Sequence, residues 1–262
     1  MNSRGTARSS LGFTLLELLS VIAIVAVVAG LLMAVLRHGR EQGHAAQCVS
    51  NLRALAQANL AYAAENGGRY TWAMDRANRR RWHGERQLLS DKFDATVGPL
   101  APYLGREGRV KHCPSLAAAL KESYTFEEGA GGYGYNAAYI GGTPRNRWEG
   151  ELITNVERPE RTVMFTDSAM ARLQGLQEYP FCEPWKWVTA SGKLSGALDP
   201  SVHFRHSGRA HVAWCDGHVT AEKPAKLGGV GVYGGNNLKY KIGWFGPDDE
   251  NGYWNPRRES RE

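Results

Sequence analysis

The sequence predicts an α+β fold in which one long N-terminal helix packs on an antiparallel β-sheet with long Gly-rich loops. Three observations carry this. From Phe13 to Leu36 the chain is apolar on every side, with Glu17 its only charged residue. Residues 37–65 place Ala45, Cys48/Val49, Leu52, Leu55/Ala56 and Tyr62/Ala63 three and four apart, which makes one apolar stripe on a helix. From residue 67 the chain turns Gly-, aromatic- and turn-rich with short apolar runs, the mark of strands joined by loops. The bulk composition agrees. With 42% hydrophobic and 22% charged residues in 262, wholesale disorder is excluded. A mean hydropathy of −0.43 excludes a polytopic membrane protein.

The first twelve residues, MNSRGTARSSLG, carry Arg4 and Arg8 and no acid. The apolar run that follows is about 24 residues, roughly 36 Å as a helix, enough to cross a bilayer. It is too long for the apolar region of a cleaved secretory signal, and Arg37, His38 and Arg40 follow it directly. A plain anchor helix would leave Glu17 unexplained, because a carboxylate in lipid costs a few kcal/mol or more. A cut after Gly12 would create a cationic α-amino group at Phe13. Glu17 would then lie one turn from it, and within reach of the amine of a neighbouring copy.

Gly12-Phe13-Thr14-Leu15-Leu16-Glu17 before an apolar helix resembles the prepilin cleavage and N-methylation signal of type IV pilins and type II secretion pseudopilins. The resemblance implies cutting after Gly12 by a prepilin peptidase, methylation of Phe13, and docking into a filament guided by Glu17. It also implies an inner-membrane, single-pass protein, with its leader in the cytoplasm and its bulk outside. Arg4 and Arg8 against Arg37 and Arg40 do not settle that orientation alone. The implied partners are the peptidase, other pilin or pseudopilin subunits and the secretion or pilus assembly machinery. The architecture it implies is pilin-like: leader 1–12, membrane and assembly helix 13–36, amphipathic continuation 37–65, and a β-rich domain 66–262.

Elements of that domain follow in order. Gly39 and Gly43 weaken the helix junction, and Asn66-Gly67-Gly68 stops the helix. Residues 116–122 read as a short helical turn, Gly129 to Gly142 as a loop, and Val163 to Thr166 as a strand ending at Asp167. His211 to Thr220 alternates on both sides of Asp216-Gly217, which predicts a two-residue hairpin turn. In that register Trp214 opposes Val219, Cys215 opposes His218, and Val212, Trp214 and Val219 share a face. His206 followed by Asp216-Gly217 resembles the H-x9-DG motif (206–217) of a large pilin-like family. Cys48-Val-Ser-Asn-Leu-Arg53, Cys113-Pro114, Tyr133-Gly-Tyr-Asn136 and Asp167 are similar to further habits of that family. Residues 70–110 and those after Lys223 carry no resemblance.

The remaining chemistry is sparse. Cys48, Cys113, Cys182 and Cys215 all lie beyond the membrane segment, so disulfides are permitted, Cys48–Cys113 and Cys182–Cys215 being the favoured pairings over free buried thiols. The predicted hairpin makes Cys215 and His218 the best zinc pair, yet His203, His206, His211 and His218 fit no zinc spacing, and no metal is expected. Resemblance allows calcium, and Asp248-Asp249-Glu250-Asn251-Gly252 offers oxygens without the alternating spacing of a calcium loop. Arg76, Arg79, Arg80, Arg81 and Arg86 could meet nucleic acid or anionic polymer, but Asp75 and Glu85 dilute them, and a solvated loop or subunit contact is preferred. Eight Trp and eleven Tyr could form a sugar-stacking platform, although such residues are more often core and interface. No G-x-S-x-G, Walker loop, Rossmann glycine pattern or H-E-x-x-H occurs, and nothing positions Ser168 or Ser207 as a nucleophile beside His206 and Asp216, so no enzyme is expected. The expected function is a structural filament subunit; the alternative is a monomeric, membrane-anchored binding protein for sugar or anionic polymer.

Overall fold

A computed structural model describes residues 14–120, 127–143 and 148–257. The leader, Gly12 and Phe13 lie outside the described residues, as do residues 258–262. Helix α1 spans Leu15–Glu65 and continues through Gly39 and Gly43. Its end has a physical cause. The Gly68 amide donates to Ala63 O at 2.9 Å, and Gly67 takes φ +63, the left-handed C′ position that closes a Schellman cap.

The chain divides into two compact units, Met1–Gly43 and His44–Glu262. In the first, the large apolar side chains from Leu15 to Leu36 are exposed, from 47% at Val21 to 84% at Leu15. The helix is long and apolar enough to cross a membrane, and none of that window is buried.

Among the described residues, the second unit holds the remaining turns of α1 and thirteen short strands. First come β1 (Arg80–Arg81), β2 (Gly84–Glu85), helix α2 (Pro114–Ala119) and β3 (Tyr133–Tyr135). Then follow β4 (Val163–Asp167), β5 (Met170–Arg172), β6 (Gly175–Gln177), β7 (Lys186–Val188) and β8 (Leu194–Ala197). The last are β9 (Val202–His203), β10 (Ala210–Trp214), β11 (Val219–Glu222), β12 (Lys226–Leu227) and β13 (Ile242–Trp244). The main sheet is antiparallel in the order β11-β10-β4-β3, and a smaller one runs β12-β13-β9.

Both faces of the main sheet are covered. On one, Cys48, Leu52, Leu55, Ala56 and Ala63 of α1 join Tyr133, Tyr135, Phe165, Ala213 and Cys215 in one core. On the other, Val163, Val212 and Trp214 meet Phe204, Trp244, Phe245 and Trp254. The stretch after Lys223 therefore supplies a second covering layer. The helix stripe also buries two amides absent from the apolar reading. Asn51 Nδ2 donates to the Tyr133 hydroxyl at 3.0 Å and Asn59 Nδ2 to the Tyr135 hydroxyl at 3.1 Å. These bonds fix which turn of the helix faces which strand.

Two expectations need correction. The Gly- and Tyr-rich stretch 129–142 is not all loop, since β3 lies within it. Gly134 makes that possible, because a Cβ there would stand 2.5 Å from Phe181 O. The hairpin register also differs. Ala213, not Trp214, opposes Val219, and Val212 opposes Thr220. The loop has three residues, Cys215 to Gly217, closed by Trp214 N to His218 O at 3.0 Å and Gly217 N to Trp214 O at 2.9 Å. Gly217 at φ +92 supplies the left-handed residue that such a loop requires. Val219 thus shares a face with Ala213, away from Val212 and Trp214.

Candidate functional site

The N-terminal motif starts its helix with a capping box. Thr14 is the first described residue, and its backbone N–H and Oγ1 both donate to Glu17 Oε2, at 2.9 and 2.8 Å. In return, Thr14 Oγ1 accepts from the Glu17 amide at 3.3 Å. The carboxylate is therefore folded back onto the backbone N–H and hydroxyl of Thr14. A negative group here also faces the positive end of the helix dipole.

The H-x9-DG residues occupy the two ends of β10. His206 begins the turn from β9, where Ser207 (φ 51) and Gly208 (φ 78) give a two-residue loop closed by His206 and Arg209 bonding both ways. Asp216 and Gly217 form the turn at the other end. The spacing measures one short strand plus its two turns, about 17 Å of strand at 3.4 Å per residue. Asp216 stays at the surface, where its Oδ1 accepts from the His218 amide at 3.0 Å and lies 2.6 Å from His218 Nδ1. His206 turns inward.

What His206 meets is Asp167, the last residue of β4 and fully buried. Asp167 Oδ1 accepts from Arg205 Nη2 at 2.7 Å. Asp167 Oδ2 accepts from the His211 amide at 2.7 Å and lies 3.4 Å from His206 Nε2 and 3.3 Å from His211 Nδ1. Burial alone would raise the Asp167 carboxyl; Arg205 and the two histidines more than offset it and hold the group well below the usual carboxylate range. For His206, burial works against the charge, but the bonds to Asp167 and Cys113 prevail and raise it to about 9. His203, buried beside Arg205, is pushed down to about 3.

The same pocket holds two sulfurs. Cys48 comes from α1 and Cys113 caps the start of α2; both are free thiols in the structure, 2.7 Å apart. Arg205 Nε reaches Cys113 Sγ at 3.2 Å, and His206 Nε2 lies at 3.8 Å. The Cys48 hydrogen bond and the Arg205 guanidinium draw the Cys113 thiol down, while its bond to Cys113 pushes the Cys48 thiol up. Cys182 and Cys215 are also free and buried.

Other expectations resolve differently. The register correction separates Cys215, buried and bonded through its amide to Thr162 O, from His218, which is exposed beside Asp216. Within 248–252, Asn251 turns inward, accepting from Lys186 N and donating to Lys186 O and the Tyr139 hydroxyl. The arginine run splits. Arg81 is buried in a two-pronged pair with Glu127, and Arg86 is buried over the Phe93 ring, so neither presents charge to a polymer. Exposed aromatics do collect elsewhere: Trp187 and Tyr233 line a cleft of about 300 Å³ with Glu183, Asp199 and Asn237. Arg205 is the residue of the buried centre that sequence reasoning missed, and His211 was named only among the histidines that fit no zinc spacing. The usable signal was Arg205 standing next to a motif histidine just before a Ser-Gly turn.

Residues 7–33 match the family described as the prokaryotic N-terminal methylation motif. The N-terminal segment is prepilin-like, and the proteins of that motif are structural subunits. Together with the motif, the one helix among the described residues that is long and apolar enough to cross a membrane fits a single-pass membrane-anchored protein. No curated protein and no solved structure matches the chain.

Proposed function

We propose that this chain is a subunit of a type IV pilus-like or type II secretion pseudopilus-like filament in the bacterial inner membrane. A prepilin peptidase cuts it after Gly12, Phe13 becomes its N-methylated first residue, and the apolar helices of many copies pack into the filament core. The globular domain, outside the cytoplasm, decorates the surface. Leader and cut site precede the membrane segment on the cytoplasmic side, and assembly is driven by separate machinery.

One observation carries the reading: a single carboxylate stands at the N-terminal end of the apolar segment 15–36 of α1, whose large side chains are exposed. Lipid satisfies those side chains, and neighbouring helices do so equally well, because packing rather than burial drives association inside a bilayer. The carboxylate is what lipid does not satisfy. Thr14 holds it at the N-terminal end of the helix, and an α-amino group created at Phe13, or the amine of an adjacent copy, completes the pair.

Glu17→Val tests this. The expected result is normal cleavage after Gly12 with loss of sheared or pelleted filaments. The rival, a tethered monomer binding sugar through the Trp187/Tyr233 cleft, expects Glu17→Val to leave surface display and ligand binding intact; that outcome would remove the filament role.

A further inference from the structure

We propose that Cys48, Cys113, Asp167 and His206 bind one thiophilic divalent cation of the zinc class, which pins α1 to the sheet. Four segments far apart in sequence bring these side chains together: α1, the start of α2, the end of β4 and the β9–β10 turn. Their ligand atoms all lie within 4.8 Å of one another, and all four residues are buried. Two sulfurs, one imidazole nitrogen and one carboxylate oxygen form a tetrahedral zinc donor set.

The distances support this geometry. Bonds of 2.0 to 2.3 Å at tetrahedral angles give ligand–ligand edges of about 3.3 to 3.8 Å. His206 Nε2 to Asp167 Oδ2 is 3.4 Å and Cys113 Sγ to His206 Nε2 is 3.8 Å. The two sulfurs, at 2.7 Å, would separate by about an ångström on binding.

The surroundings support it independently. Arg205 holds Asp167 through Oδ1, which leaves Oδ2 directed at the cluster, and its Nε bonds Cys113 Sγ. Such outer partners orient metal ligands and hold their charge. Two thiolates and a carboxylate carry three negative charges; a divalent cation and Arg205 carry three positive ones, so the buried centre is neutral. His211 is 6% exposed, its Nδ1 stands 3.3 Å from Asp167 Oδ2, and that nitrogen has no hydrogen-bond partner. A disulfide between the same sulfurs would use the sulfurs alone and leave Asp167 Oδ2 and His206 Nε2 out of the link. Binding replaces the protons held by the two sulfurs and by His206 Nε2 with the cation and releases them to solvent, with no redox step.

The test uses the full chain in detergent, purified without chelator and assayed by elemental analysis beside thiol titration. The expected result is about one zinc per chain, lost in Cys48→Ser and in His206→Ala but retained in Cys182→Ser. Should those variants fail to fold, cobalt added to chelator-stripped wild-type protein reports directly, through thiolate charge-transfer bands and the visible spectrum of a tetrahedral ion. Three results would overturn the proposal: metal-free protein with Cys48 and Cys113 joined as a disulfide, metal-free protein that takes up no cobalt, or zinc retained when Cys48 is replaced.

Discussion

Arg205 Nη2 lies 2.7 Å from Asp167 Oδ1, with the two side chains 4% and 0% exposed. Arg205 also donates to Gly132 O at 2.7 Å and Ser168 O at 3.2 Å, so one guanidinium closes three segments. Breaking one half of such a buried pair leaves an uncompensated charge. Arg205→Met should therefore lower the unfolding free energy of the globular domain by about 3–5 kcal/mol. Chemical denaturation of the full chain in detergent checks this, and a loss under 1 kcal/mol would show that the pair does not hold the domain.

Gly217 sits at φ +92 in the β10–β11 turn, and a Cβ there would meet only Leu60 Cδ1, at 3.5 Å. Gly217→Ala should cost about 1–2 kcal/mol, from backbone strain alone. Gly150→Ala should cost more, because its Cβ would fall 1.8 Å from Tyr70 O. Equal melting shifts for the two variants would contradict the three-residue turn.

Leu52 is fully buried between α1 and the sheet, whereas Leu32 is 59% exposed on the apolar segment. Leu52→Ala should destabilise the domain by about 2–5 kcal/mol. Leu32→Ala should leave domain unfolding unchanged. A shared effect would mean that the two halves of α1 do not divide the work as described.

His83 is buried, neither ring nitrogen has a hydrogen-bond partner, and burial followed by Arg81 and Arg86 holds its pKa well below 6.5. The unfolded chain gains a proton near pH 6.5 while folded His83 stays neutral. Stability is therefore lost as pH falls below about 6.5, by at most about 1.4 kcal/mol per pH unit from this residue. His83→Phe should flatten the loss between pH 7 and 5 in denaturation curves. An unchanged slope would place the acid sensitivity elsewhere.

Legibility followed the range of the forces. The long helix, its Gly67-Gly68 stop and the strand ending at Asp167 were visible because caps and periodicity are local. The β10–β11 register slipped by one residue for a definable reason. Val212 and Trp214 bury on one face, Ala213 and Cys215 on the other, so no inside–outside alternation fixed the pairing. Strand β3 hid in a Gly-rich stretch because Gly134 serves a close approach to Phe181 made elsewhere in the chain. The buried centre at Asp167 was legible only as fragments. Cys48, Cys113, Asp167 and His206 each stood out, but only tertiary folding brings them into one pocket with Arg205 and His211.

The mature N-terminus tests the central claim most directly. Mass spectrometry of the chain extracted from its native membrane should find an N-methylated Phe13 as the first residue. A chain that still begins at Met1, or starts anywhere other than Phe13, would contradict the filament account.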